Sequence, residues 1–242
     1  MARRRAGGNV LGTLGLIAGA VFVIGPALAW LRLAPAIFGF VLFALGGVLA
    51  LVVGVASVVQ ALRGRGIRPG GAVAIFAGVA FLVVAARGRG GPMINDFTTD
   101  LADPPAFRNA ATLPANQGRD MAYPRAFEPM QQECCANLHP ARVRLDGKET
   151  FARVQAVAQG MPGWRITATD PDGGTFEVIA TTPLFGFQDD IAIRVRPDGD
   201  GSSRVDMRSK SRNGKGDMGT NAARIRKFVR DVEAASPHAV AR

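Results

Sequence analysis

Residues 164–211 read WRITATDPDGGTFEVIATTPLFGFQDDIAIRVRPDGDGSSRVDMRSKS, and their alternation decides the fold. Trp164, Ile166 and Ala168 alternate with Arg165, Thr167 and Thr169. Phe176, Val178 and Ala180 alternate with Glu177, Ile179 and Thr181. Ile191, Ile193 and Val195 alternate with Ala192, Arg194 and Arg196, and Val205 and Met207 with Arg204, Asp206, Arg208 and Lys210. A period of two makes each run a strand with one buried and one wetted face, the habit of antiparallel sheets. Pro171-Asp172-Gly173-Gly174 and Asp198-Gly199-Asp200-Gly201 are hairpin turns between them.

Working outward, Asp146 and Glu149 form a capping box, and Phe151, Val154, Val157, Ala158 and Met161 recur at helical spacing until Pro162-Gly163 stops them. Downstream, Ile225, Phe228, Val229 and Val232 make the apolar stripe of a helix over about 220–234. Two amphipathic helices can cover the buried face of a four-stranded sheet, so an α+β two-layer sandwich is expected, with its core over 141–235. Residues 93–140 hold Pro104, Pro105, Pro114, Pro124, Pro129 and Pro140 and little periodicity. They predict an extended, irregular lead-in that wraps the domain, followed by a short strand at Ala141–Leu145. The tail from Ser236 is expected to fray.

Upstream of residue 93 the chemistry changes. All nineteen Asp and Glu lie beyond that point, whereas residues 1–92 carry nine arginines and no acid. Of the formal net charge of +10, +9 therefore belongs to the first part; in the second, twenty basic residues face nineteen acids. That balance excludes nucleic-acid binding, which needs a basic stripe on the folded domain. Apolar segments at about 10–31, 35–62 and 70–86 approach or exceed the roughly 17–20 residues that cross a bilayer. Arg87 and Arg89 can snorkel at the end of the third. These segments predict a three-helix transmembrane anchor in a 1–92 membrane domain, ahead of a 93–242 soluble domain.

Arg3, Arg4 and Arg5, and later Arg63, Arg65 and Arg68, outweigh the single Arg32 of the intervening loop. The positive-inside rule then puts the N-terminus in the cytoplasm and, after three spans, the C-terminal domain on the other side. In a bacterial inner membrane that side is the periplasm. If the third segment fails to insert, the domain stays cytoplasmic. A cleaved signal peptide ending near Ala27-Leu28-Ala29 competes for the first segment, which is long for that role. Gly15 and Gly19, then Gly39, Gly46, Gly47 and Gly54, give small-residue faces for packing within the helical hairpin or, alternatively, for a homo-oligomer. No Asp, Glu, Lys or His lies within a span, so the helices read as an anchor rather than a transport path.

Several motifs in order carry a family resemblance: Ile94-Asn-Asp-Phe-Thr-Thr-Asp100 with Pro104-Pro-Ala-Phe107, Met161-Pro-Gly-Trp-Arg-Ile166, Thr182-Pro-Leu-Phe-Gly-Phe-Gln-Asp-Asp-Ile-Ala-Ile-Arg-Val-Arg196, Ser203–Arg212 and Gly216–Arg226. The chain resembles the bacterial domain-of-unknown-function family 1499, in the form with membrane helices ahead of the domain. The resemblance spans about 93–232 and implies no biochemical activity.

The sharpest candidate site is a polar cluster: Asp189, Asp190, Arg208, Ser209, Ser211, Arg212, Asp217, Asn221 and Arg224. Arginine forks there could grip a carboxylate or phosphate of an envelope ligand. The structural reading has Asp217 or Thr220 capping the helix and the arginines pairing with Asp189 and Asp190. Asp189 and Asp190 point to opposite faces of a strand, which argues against a shared acid/base dyad. Lys215-Gly216 lacks the GxxxxGK[ST] phosphate loop. Glu133-Cys134-Cys135 with His139 is a poor metal set, since adjacent cysteines rarely chelate one ion; a vicinal disulfide, free thiols or an intermolecular link stay open. With His238 in the tail, only His139 is left for a catalytic triad. No cofactor or metal is expected. The sequence favours a non-catalytic envelope domain that binds a protein or a charged envelope ligand; the alternative is an envelope enzyme using the Asp/Arg/Ser cluster on a charged substrate.

Overall fold

The computed structural model describes residues 2–87 and 92–236, with backbone only for residues 2–9 and Arg87. Arg89 and the tail beyond Ser236 lie outside the described residues, as does any statement on the side chains of Arg3, Arg4, Arg5 and Arg87. The described residues fall into two compact units.

The first unit contains three helices, α1 (Ala2–Trp30), α2 (Ala36–Gln60, continued by a π-helical turn, Ala61–Arg65) and α3 (Pro69–Arg87), together with the segment Pro183–Gly186. All three are long and apolar enough to cross a membrane, over Val10–Trp30, Ala36–Arg65 and Pro69–Ala86. Their glycines allow backbones to meet. A Cβ at Gly15 would strike the carbonyl of Gly70, and one at Gly46 would strike the backbone of Phe22. Phe22 and Phe43 pack with ring centroids 4.7 Å apart. Phe185, in the separate segment of this unit, meets Phe43 edge-on at 5.6 Å.

The second unit is built on an antiparallel sheet. In chain order it runs β1 (Asp96–Thr98), α4 (Asn109–Thr112), α5 (Glu128–Cys135), β2 (Ala141–Val143), α6 (Gly147–Gly160), β3 (Trp164–Asp170), β4 (Thr175–Thr181), β5 (Gln188–Pro197), β6 (Ser203–Ser211) and α7 (Thr220–Ala234). The strand order is β1-β6-β5-β4-β3, with β2 also pairing with β6. The four expected strands are present, but the sheet has six. β1 pairs Asp96 with Lys210, and β2 pairs Ala141 with Val205, further along the same strand. A three-residue strand is too short to show a period of two, so β1 was invisible as a pattern.

The apolar face is the expected one. Phe176, Val178, Ile191, Ile193, Val205 and Met207 meet Phe151 and Val154 of α6 and Ile225, Phe228 and Val232 of α7 in one core. Asp146 caps α6 through the Glu149 N–H at 2.8 Å. Trp164 stacks on Phe228 at 5.2 Å.

The opposite face departs from expectation. Over β5 and β6 it is largely not wetted, because the lead-in expected to wrap the domain covers it there. Phe107 and Ala110 pack on Ala192, and Asp190, Asp206 and Arg208 of this face are buried. A period of two reports only that a face is polar. A face wetted by water and a face covered by oppositely charged chain carry the same pattern. The irregular stretch supplies β1, α4 and α5, and besides placing polar groups it adds Ile94, Phe97 and Cys135 to the main core.

Candidate functional site

Strand parity divides the nine residues of the sequence cluster between the two faces of the sheet. Toward α7, six of them form one network. The Asn221 carboxamide is fully buried; its oxygen accepts from Ser209 Oγ and Arg224 Nη1, and its nitrogen donates to Ser211 Oγ at 2.8 Å. Arg224 Nη2 lies 2.6 Å from Asp189 Oδ2. Asp217 accepts the backbone N–H groups of Gly219 and Asn221 at 2.8 and 2.7 Å, satisfying donors at the start of α7. Burial pushes the Asp217 carboxyl above its ordinary range, and the nearby Asp189 adds to this against the pull of those N–H groups.

The other three residues lie under the lead-in. Asp190 accepts Arg212 through Nη2 at 2.6 Å and Asn116 Nδ2 at 2.8 Å. Arg212 also donates to Gln188 Oε1 at 2.7 Å. Arg208 is elsewhere again, sheathed by the rings of Phe107 and Tyr123 at 4.6 and 5.5 Å. Its guanidinium donates to Asp96 at 2.9 and 2.7 Å and to the carbonyls of Pro105 and Met121. Lys210 Nζ completes the group, 3.0 Å from Asp96. Burial raises the Tyr123 hydroxyl well above its ordinary value, with Asp96 and Glu128 adding to it.

Sequence reasoning missed the residues that complete these networks. Asp100, Asp103 and Asp206 interlock with Arg194, Arg196 and Arg204; Arg204 and Arg196 reach Asp100 Oδ2 at 2.8 and 2.9 Å. Burial alone would raise Asp100, but the Asp103 N–H and the Arg204 and Arg196 guanidiniums outweigh it and hold the carboxyl below its ordinary range. Glu177 receives the N–H groups of Arg108, Asn109 and Ala110. Gln131 of α5 clasps β1 by bonding both the N–H and the carbonyl of Thr98. The available signal was mixed charge on one face of the strands, at Asp190, Arg194 and Arg196 of β5 and at Arg204, Asp206, Arg208 and Lys210 of β6. Chemically, these arrangements hold chain segments together: their donors and acceptors close on one another, except that Arg194 Nε is buried without a hydrogen-bond partner among the described residues. Cys134 and Cys135, at the end of α5, are joined as a vicinal disulfide. Among the described residues, no group of three or more His, Cys, Asp or Glu is placed to hold a metal.

Fold and site together define a chain with three helices long and apolar enough to cross a membrane and an antiparallel α+β unit whose charged sheet face is covered by its own lead-in. Residues 96–232 match the model of a protein family of unknown function, DUF1499, and the chain belongs to that family. A search among curated proteins finds no match.

Proposed function

We propose that the three helices anchor the chain in the bacterial inner membrane and that the α+β domain acts in the envelope as a non-catalytic binding or scaffolding module. The observation that carries this reading is the internal closure of the polar cluster. Arg208, Arg212 and Arg224 each engage an internal carboxylate, on Asp96, Asp190 and Asp189 respectively. An arginine closed in this way offers little to a substrate, whereas a rigid domain on a membrane stalk suits protein contact or capture of an envelope component. The arginine asymmetry supports a cytoplasmic N-terminus and a periplasmic domain. The Cys134–Cys135 disulfide supports the same side, since disulfides persist in oxidising compartments.

Cross-linking of the full-length protein in native membranes, followed by purification, tests the function. A discrete, stoichiometric envelope partner or bound component is expected. Recovery of only the uncross-linked chain across several chemistries would overturn the reading. A reporter fused after Val240 tests the topology: activity confined to a periplasm-dependent reporter is expected, and activity of a cytoplasm-dependent one contradicts it.

A further inference from the structure

A groove of about 360 Å³ runs between the loop after α5 and helix α7, away from every residue of the polar cluster. That volume lies in the size class of small-molecule sites. Its floor is apolar, formed by Leu138, Ile225 and Val229. Arg226 and Arg230 stand along one wall, spaced i, i+4 and so on the same side of α7. Asn137 braces the first of them by accepting its Nε–H at 3.2 Å. His139 and Glu233 complete the rim.

These two arginines differ from those of the polar cluster. Arg208, Arg212 and Arg224 are each closed by a carboxylate. Arg226 and Arg230 form no ion pair among the described residues, and Arg230 is exposed. Two guanidiniums on one side can take a single anionic group, and the apolar floor can take a short hydrocarbon body. The rim carries one carboxylate, Glu233, which disfavours a ligand of high negative charge.

We infer that this groove binds an amphipathic monoanion, a carboxylate joined to an apolar body of a few carbons. The inference rests on the reading of the domain as a binding module and adds the ligand class and the place. It is separable from that reading, because a protein partner captured by cross-linking does not depend on an occupied groove.

Equilibrium dialysis of the full-length protein in lipid nanodiscs, with labelled hexanoate as probe, tests it. Empty nanodiscs give the background of partition into lipid. Saturable binding by the protein is expected, about tenfold weaker for inorganic phosphate or for uncharged hexanol. The Arg226→Gln, Arg230→Gln double variant is expected to weaken hexanoate binding by about tenfold or more with an unchanged thermal midpoint, because it removes the charge-assisted contacts. Three results overturn the inference: no saturable binding above that of empty nanodiscs, hexanol binding as tightly as hexanoate, or an undiminished affinity in the double variant.

Discussion

Arg208 and Asp96 meet as a buried two-pronged ion pair, with Nε 2.9 Å from Oδ1 and Nη2 2.7 Å from Oδ2. The pair joins the first strand of the domain to its last, and it does so where neither partner can reach water. Removing one member of such a pair leaves a buried charge without compensation, which typically costs about 3–5 kcal/mol. Asp96→Asn is therefore expected to destabilise the domain by about that amount. Trp164, stacked on Phe228 in the core, reports unfolding by denaturant in a Trp30→Phe background. Replacing Asp96, Arg208 and Lys210 together by apolar residues of similar size is expected to recover much of the loss, because no orphan charge remains.

The Asp100 network predicts an acid limb in the stability profile. Its carboxyl is held below the ordinary value of 3.8. A lowered carboxyl contributes stability that is present above the ordinary value and is lost as pH falls through the folded-state value. Asp100→Asn removes this contribution, so the variant is expected to be less stable at neutral pH and to show a flatter decline below about pH 4. Asp217 has the opposite sign. Its raised value favours the folded state most at low pH, and that contribution fades as pH rises above 3.8. Stability measured against pH for Asp100→Asn and Asp217→Asn should therefore diverge from the wild type in opposite directions.

The two outcomes also show which parts of the fold were legible in the chain. Phe176, Val178, Ile191 and Ile193 repeat often enough to declare a strand and its buried face. Ile225, Phe228 and Val232 do the same for α7. Asp96 and Phe97 belong to a strand of three residues, and a pairing that brief leaves no period to read. Arg194, Arg204 and Arg208 look like any solvated strand face in sequence. Only the position of Asp96, Asp100 and Asp103 in space shows that the face is covered. The nine cluster residues lie at the start of β5, along the second half of β6 and just beyond it, and around the start of α7. Their division into two faces follows from strand parity, which sets Asp189, Ser209 and Ser211 on one face and Asp190 and Arg208 on the other.

In the helical unit, Gly15 faces the carbonyl of Gly70, whereas a Cβ at Gly12 would meet nothing within 4 Å. Gly15→Leu must push α1 away from α3 and is expected to cost about 1–3 kcal/mol through overpacking. Gly12→Ala is expected to leave packing intact. Titration of the purified protein with denaturing detergent separates the two: the midpoint should drop for Gly15→Leu and hold for Gly12→Ala. Equal behaviour of the two variants would contradict the close approach of these helices.

The Asp189–Arg224 contact decides whether the helix-side cluster holds the fold or serves a ligand. Arg224 Nη2 is 2.6 Å from Asp189 Oδ2, and its Nη1 also donates to Asn221 and Ser209. If the network is structural, Asp189→Asn and Arg224→Gln each lower stability, and the double variant loses less than the sum. A coupling on the order of 0.5–3 kcal/mol is the usual range for contacting residues. If the network serves a ligand, both single variants keep their stability while cross-linked partner recovery falls. The buried position of Asn221 between Ser209, Ser211 and Arg224 favours the first outcome, since removing any one member strands donors or acceptors that no water reaches. A double-mutant cycle on unfolding, run beside the cross-linking assay on the same variants, therefore separates the two roles.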